Sequence, residues 1–262
     1  MDADRIRFET NDAVAVITLD RPKANAIDAA MSKALAAAFA RLRDDGTLRV
    51  AVVTGAGGKF FSGGWDMNEA ASGVKDVDVH GPGGFAGIRA LHALNKPVIA
   101  AVNGLCIGGA WELVLACDIV VAAHGARFWS PEVQRGFAAD AGGAQNLQRY
   151  LPRKIAAEVL LTGRWFELDE AHAHGLVNHR AAPDALMPKA MEIARAIAAN
   201  APLAVEATKE IMRWAAPIAE ADAVLRLAEA PLPAYRRMME SEDFFEGPRA
   251  FTQKRGADFK GN

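Results

Sequence analysis

An α/β core followed by a helical C-terminal region is the architecture expected of this 262-residue chain. Three observations lead there. Short β-branched runs alternate with helix-patterned segments through the first half, the order that stacked βα units with mainly parallel strands would give. Strand signals nearly vanish from Gly142 onward. Prolines then punctuate the remainder at helix-length intervals. The length fits one large domain or two modest ones, with a sizeable buried core.

Taken in order, Val14-Ala-Val-Ile-Thr-Leu-Asp20 and Arg49-Val-Ala-Val-Val-Thr54 read as strands ended by turn residues. Between them, 28–43 is Ala-rich and carries Met31, Leu35, Phe39 and Leu42 at helical spacing, with Asp28 as the N-cap. The glycine-rich stretch from Gly55 to Gly64 suggests a dinucleotide turn, but Phe60 stands where the third glycine is required. A phosphate-gripping Gly-Lys-Ser/Thr is also missing, so a tight turn is expected. A second glycine-rich stretch, Gly73 to Gly87, is expected to be mobile. Lys96-Pro-Val-Ile-Ala-Ala-Val102 and Asp118-Ile-Val-Val-Ala-Ala123 are further strands, with a helix over 108–117 between them. Segments 153–162, 185–199, 202–216 and 219–229 read as helices, with Pro152, Pro202, Pro217 and Pro231 near their boundaries. The division expected is a core over 1–200 and a helical region over 201–262. No internal repeat is visible.

Composition excludes several classes of function. Thirty basic against thirty-two acidic residues leave a net charge of −2, so there is no basic excess for a nucleic-acid backbone. The longest apolar region, Pro97 to Ala123, is interrupted by Asn103, Glu112 and Asp118 and does not read as a membrane span. The acidic start runs into a strand-like segment, unlike a signal peptide. Cys106 and Cys117 make neither a disulfide framework nor a metal set, and both sit in apolar surroundings as core residues would. His172 and His174 are two apart and so face different sides of a helix; with no nearby cysteine or second acidic ligand, no metal is expected there. The expectation is a metal-free cytoplasmic protein.

The stretch Val102-Asn-Gly-Leu-Cys-Ile-Gly-Gly-Ala-Trp-Glu112 carries the most chemistry. A strand runs into glycines and then a helix, leaving the N–H groups of Gly108 and Gly109 without intrahelical partners. Such donors, backed by the helix dipole, suit a developing negative oxygen. The backbone of the Gly55–Gly64 loop could face them. Glu112 lies one turn on, alone among Ala110, Trp111, Leu113, Val114 and Leu115. Two readings stand. A buried carboxylate there gains the raised pKa useful in acid–base catalysis; alternatively, it pairs with an arginine or caps a neighbouring loop. Glu132 after Pro131 has the same two sides: a catalytic carboxylate, or a favourable first-turn charge at an ordinary helix start.

Arg21-Pro-Lys-Ala-Asn-Ala26, Phe61-Ser-Gly-Gly-Trp-Asp66, Lys96-Pro-Val-Ile-Ala-Ala-Val-Asn-Gly104, Gly108-Gly-Ala-Trp-Glu112 and Pro131-Glu132, in this order, resemble the crotonase (enoyl-CoA hydratase/isomerase) superfamily over essentially the whole chain. Within it, Thr18-Leu-Asp-Arg-Pro-Lys-Ala-Asn-Ala-Ile-Asp28, Gly64-Trp-Asp66, Gly81-Pro-Gly-Gly-Phe-Ala-Gly87 and the tail 241–255 are most similar to the branch that interconverts carnitinyl-CoA and crotonobetainyl-CoA. The resemblance implies repeated ββα units, a C-terminal helical region that builds trimers or dimers of trimers, and an acyl-CoA thioester substrate with no separate cofactor. It implies an oxyanion hole from the N–H groups of Trp65 and Gly109. It implies that Glu112 activates water while Glu132 delivers the proton to C2. For substrate and CoA it implies Lys23, Ala24 and Ala26, the run Ser62, Gly63, Gly64, Asp66 and Met67, and Leu105 and Gly108. Phe251 and Lys254 would reach the nucleotide end of CoA in a neighbouring subunit.

The chain departs from the family pattern at Ala110, at the bulky Trp111, and at Ala139 where proline is expected, which alters a pocket wall. Trp65, Trp111 or Trp129 would offer a face to a trimethylammonium group, unless these rings only pack the core. A general enoyl-CoA hydratase and a catalytically silent binding subunit are the alternatives.

Overall fold

Alternating Val, Ile and Ala residues build a six-stranded sheet whose two faces are both covered. Its strands are β1 (Ile6–Asn11), β2 (Val14–Leu19), β3 (Val50–Gly55), β5 (Val98–Val102), β7 (Ile119–Ala123) and β10 (His179–Ala181), adjacent in that order. Only the β1–β2 hairpin is antiparallel. The computed structural model describes residues 5–73 and 79–262; the five residues between belong to the glycine-rich stretch expected to be mobile and lie outside the described residues. A second, four-stranded sheet contains β4 (Phe60–Ser62), β6 (Leu105–Ile107), β8 (Arg127–Trp129) and β9 (Trp165–Glu167).

The period-2 pattern sorts the large sheet's side chains. Val50, Val52, Ile99, Ala101 and Val121 point to one face, which α9 (Leu186–Ala198) covers with Leu186, Ala190 and Ala194. Ala51, Val53, Val98, Ala100 and Val102 point to the other, into the main core with α1 (Ala29–Asp44). Met31, Leu35, Phe39 and Leu42 of α1 are buried, and Asp28 caps the helix by accepting from the Met31 N–H at 2.8 Å. The resulting arrangement answers the expectation of parallel βα units, with the strands found within a residue or two of their expected positions.

A repeat invisible in the sequence organises the site. Three times, a strand of the large sheet is followed by a strand of the small sheet and then by a helix. The helices are α2 (Met67–Ala71) after β3–β4, α4 (Gly109–Ala116) after β5–β6 and α5 (Glu132–Arg135) after β7–β8; α3 (Ile88–His92) lies between α2 and β5. Because β4, β6 and β8 are parallel neighbours, their carboxyl ends and the three strand-to-helix turns lie side by side. The remaining helices are α6 (Gly143–Tyr150), α7 (Arg153–Thr162), α8 (Leu168–Ala173), α10 (Pro202–Ala215), α11 (Glu220–Arg226), α12 (Pro233–Met239) and α13 (Glu242–Thr252). The Gly55–Phe60 segment is a turn pinned by the Asn103 side chain, which donates to Gly55 O at 3.0 Å and Gly57 O at 2.6 Å. Cys106 and Cys117 are buried, and burial pushes both thiols up. No helix among the described residues is long and apolar enough to cross a membrane.

Candidate active site

Each of the three adjacent turns contributes to one cavity of about 840 Å³. Trp65 comes from the turn after β4, Gly109 and Glu112 from the start of α4, and Glu132 from the start of α5; all four line it.

The first two turns meet backbone to backbone. Gly64 has φ +76°, and a Cβ there would fall 2.3 Å from Ile107 O and 3.0 Å from Gly109 N, so the approach requires glycine. Ile27 N–H donates to Gly64 O at 2.7 Å, and Asp66 N–H donates to Ile27 O at 2.9 Å. Between these bonds the Trp65 N–H is turned the other way and has no acceptor among the described residues; neither has the Gly109 N–H. Both are free to donate to a ligand. Gly108, at φ +57°, makes the bend into α4, and a Cβ there would sit 3.1 Å from Glu132 Oε1.

Glu112 is 5% exposed and Glu132 6%. Oε1 of Glu112 accepts from the Gly143 N–H at 2.8 Å, the first residue of α6, so the carboxylate caps that helix. Burial pushes its pKa up to about 7; the Gly143 bond opposes this, while the charges of Glu132 and Asp140 add to it. The capping role and the catalytic potential weighed for Glu112 thus coexist. Glu132 does begin a helix, and its Oε2 accepts from the Ser130 hydroxyl at 2.6 Å. That bond leaves Oε1 beside the bare Cα of Gly108.

The remaining wall is aromatic. Trp65 meets Phe137 edge-on with ring centroids 5.7 Å apart, and His80 meets Phe85 at 5.2 Å. Phe85 occupies the space a Cβ on Gly109 would need, at 2.2 Å. The expected family of tryptophan faces reduces to one. Trp111 is packed between Phe128 and Phe166 in the core, and Trp129 stacks on Trp165 while donating its ring N–H to Gly163 O at 2.6 Å. Neither lines the cavity; Trp65 does. Ala139 lines a smaller neighbouring cavity of about 260 Å³ instead, which shares Glu132 as a wall.

The other residues singled out in the sequence do not line this cavity. Ala24 O accepts from Gly63 N–H at 2.7 Å, and Ala26 O from the Arg21 guanidinium at 2.9 Å. Ser62 is fully buried, its hydroxyl donating to Asn25 O at 2.7 Å. Asp66 pairs with Arg21 at 2.6 Å and caps α2. Lys23 and Met67 are exposed and Leu105 half-buried. Phe251 and Lys254 stand exposed at the end of α13 and form no part of the cavity. The sequence reading missed His80, Phe85, Phe137, Ser130 and Gly143. Their only signals were the run Gly81–Gly87 and the Ser-Pro-Glu before α5. Among the described residues no group of three or more potential metal ligands occurs.

A two-layer ββα core whose adjacent turns present two buried carboxylates and two free backbone N–H groups defines the class. The chain belongs to the enoyl-CoA hydratase/isomerase family, which it matches over residues 9–262. It is 45% identical over 260 residues to carnitinyl-CoA dehydratase of Salmonella arizonae, covering 99% of this chain and 100% of the relative. It is 44% identical to carnitinyl-CoA dehydratase of Citrobacter koseri, covering 99% of each. Among solved structures, enoyl-CoA hydratase from Mycobacterium tuberculosis H37Rv superimposes with a TM-score of 0.88 at 37% identity, over 99% of this chain and 100% of that one.

Proposed function

We propose that this protein interconverts crotonobetainyl-CoA and carnitinyl-CoA by adding and removing water across C2–C3. The reaction class, hydration and dehydration of a 2-enoyl-CoA thioester by a hydro-lyase, follows from the family and the relatives. The observation that carries the assignment to this cavity is the pair Glu112 and Glu132 beside the free N–H groups of Trp65 and Gly109.

The thioester oxygen accepts from both N–H groups, which stabilise the enolate-like charge as water adds; each is worth about 3 kcal/mol. Water oxygen bonds to C3 as Glu112 takes one of its protons. The C2–C3 π electrons move toward the thioester, and Glu132 delivers a proton to C2. Dehydration runs the same steps backwards. A base held near pH 7 by burial suits this exchange, since it both accepts and returns a proton at neutral pH. CoA lies along Lys23, Ala24 and Ala26 and the 62–67 turn, with Leu105 and Gly108 beneath it. Phe251 and Lys254 of a neighbouring subunit meet its nucleotide end. The 201–262 region builds a trimer or a dimer of trimers, and the protein is cytoplasmic.

For the acyl group, the support is the likeness to the two carnitinyl-CoA dehydratases together with the rings of Trp65, Phe85 and Phe137 and the carboxylate of Asp140 around the cavity. A trimethylammonium group has no N–H and is recognised by aromatic faces and nearby negative charge. Hydration of crotonobetainyl-CoA and crotonyl-CoA, followed side by side through loss of the conjugated thioester, tests the reading. Preference for the betaine that E112Q abolishes supports it. Equal or greater activity on crotonyl-CoA returns the protein to general enoyl-CoA hydration, and inactivity on both favours a binding subunit.

A further inference from the structure

We infer that His80 is a specificity-determining residue: it turns an unprotonated ring nitrogen toward the acyl region of the cavity and thereby selects a cationic substituent over a neutral one of the same shape. The inference rests on the betaine reading above and adds a residue to it.

The tautomer follows from Ser32 of α1. The Ser32 hydroxyl donates its single proton to Asp28 O at 2.9 Å, and its oxygen accepts from the Ala86 N–H at 3.1 Å. His80 Nδ1 lies 3.1 Å from the same oxygen. With the hydroxyl proton on Asp28 O, Nδ1 carries the ring proton and donates it, the arrangement that leaves Nε2 as a bare lone pair. Nε2 is on the side of the ring away from Ser32 and has no hydrogen-bond partner among the described residues, while the ring forms part of the cavity wall. The side chain is 9% exposed, so both its tether and its environment are internal.

Its place in the wall is close to the chemistry. Its ring meets Phe85 edge-on at 5.2 Å and Trp65 at 6.5 Å, and Phe85 in turn fills the space against Gly109. His80 is thus one ring removed from each N–H proposed to hold the thioester oxygen, within reach of a group carried on the acyl chain. Burial, with the charge of Lys33 assisting and that of Glu69 opposing, lowers the imidazole pKa and keeps the ring neutral. A neutral imidazole has its negative dipole end at the unprotonated nitrogen. Aimed into an aromatic enclosure, that end attracts a trimethylammonium group and gives nothing to an uncharged one.

The test compares crotonobetainyl-CoA with 5,5-dimethylhex-2-enoyl-CoA, in which carbon replaces the cationic nitrogen, in the wild type, H80F and S32A. H80F keeps a ring of similar size but removes both the lone pair and the tether. The ratio of kcat/KM values, betaine over isostere, is expected to fall roughly fivefold in H80F and less in S32A. Activity on the isostere should stay within about twofold, which also reports a folded site. A nitrogen-15 spectrum of labelled histidine should give the neutral Nδ1–H form for His80 in the wild type. A wild-type ratio near one overturns the betaine reading and this inference with it. A betaine preference that survives H80F unchanged, equal loss of both activities, or the Nε2–H tautomer in the spectrum overturns the inference alone.

Discussion

Glu112 is where stability and reactivity oppose each other. Its pKa near 7, against an ordinary 4.5, means that folding holds its proton more tightly than the unfolded chain does. The stabilisation from that proton is complete below pH 4.5 and is lost as pH rises through 7, a swing of about 3 kcal/mol. Relative to wild type, E112Q should therefore gain Tm progressively between pH 4.5 and 7.5, measured by calorimetry, while losing hydration activity by about 10²-fold or more. The overall reaction takes up no net proton, so kcat/KM for hydration and for dehydration should follow one shared pH profile, with an inflection near 7 where Glu112 titrates if it is the proposed base. A flat profile in both directions would remove Glu112 from the proton transfer. The sequence made this residue visible because a lone carboxylate stood in an apolar helix. Its Gly143 bond was invisible, since thirty-one residues separate the partners. His80 was overlooked for a related reason: a histidine after Val79 carries no local pattern, and only the approach of Ser32 gives its ring a direction.

The strand-to-helix turn is the element that makes the site, and its requirements are steric. Gly109 has no room for a methyl group, because Phe85 stands 2.2 Å from where it would be. G109A should displace either Phe85 or the start of α4 and move the free N–H, lowering kcat roughly a hundredfold with a smaller effect on KM. Unchanged kcat would mean that this N–H does not meet the developing charge. Long apolar elements were legible here, because Met31, Leu35, Phe39 and Leu42 announce a helix and the Val/Ile runs announce strands. The small sheet was not. Its strands are three residues each, too short for periodicity to register, and Phe60, Leu105 and Arg127 reveal themselves as neighbours only in space. The repeated ββα unit could be expected only through the family resemblance, since it is repeated in topology and not in residues.

At the scale of the molecule, the C-terminal helices leave apolar side chains uncovered. Val224 and Leu225 of α11, Met212 of α10 and Phe251 of α13 are each more than two-thirds exposed. Large apolar side chains left in solvent mark surfaces that associate. The proposed trimer would have a mass of about 84 kDa, three times the 27.9 kDa chain, by light scattering after gel filtration. Replacing Leu225 with Glu should shift the protein toward the single-chain mass; if the mass is unchanged, α11 is not part of the interface.

The donors proposed for the thioester oxygen are main-chain groups, whereas Trp65, His80, Phe85 and Phe137 line the cavity with side chains. Reaction type and clientele are in this way written in different materials. An exchange of wall residues can recruit another acyl group and leave the oxygen's cradle intact, provided the glycines behind it stay bare.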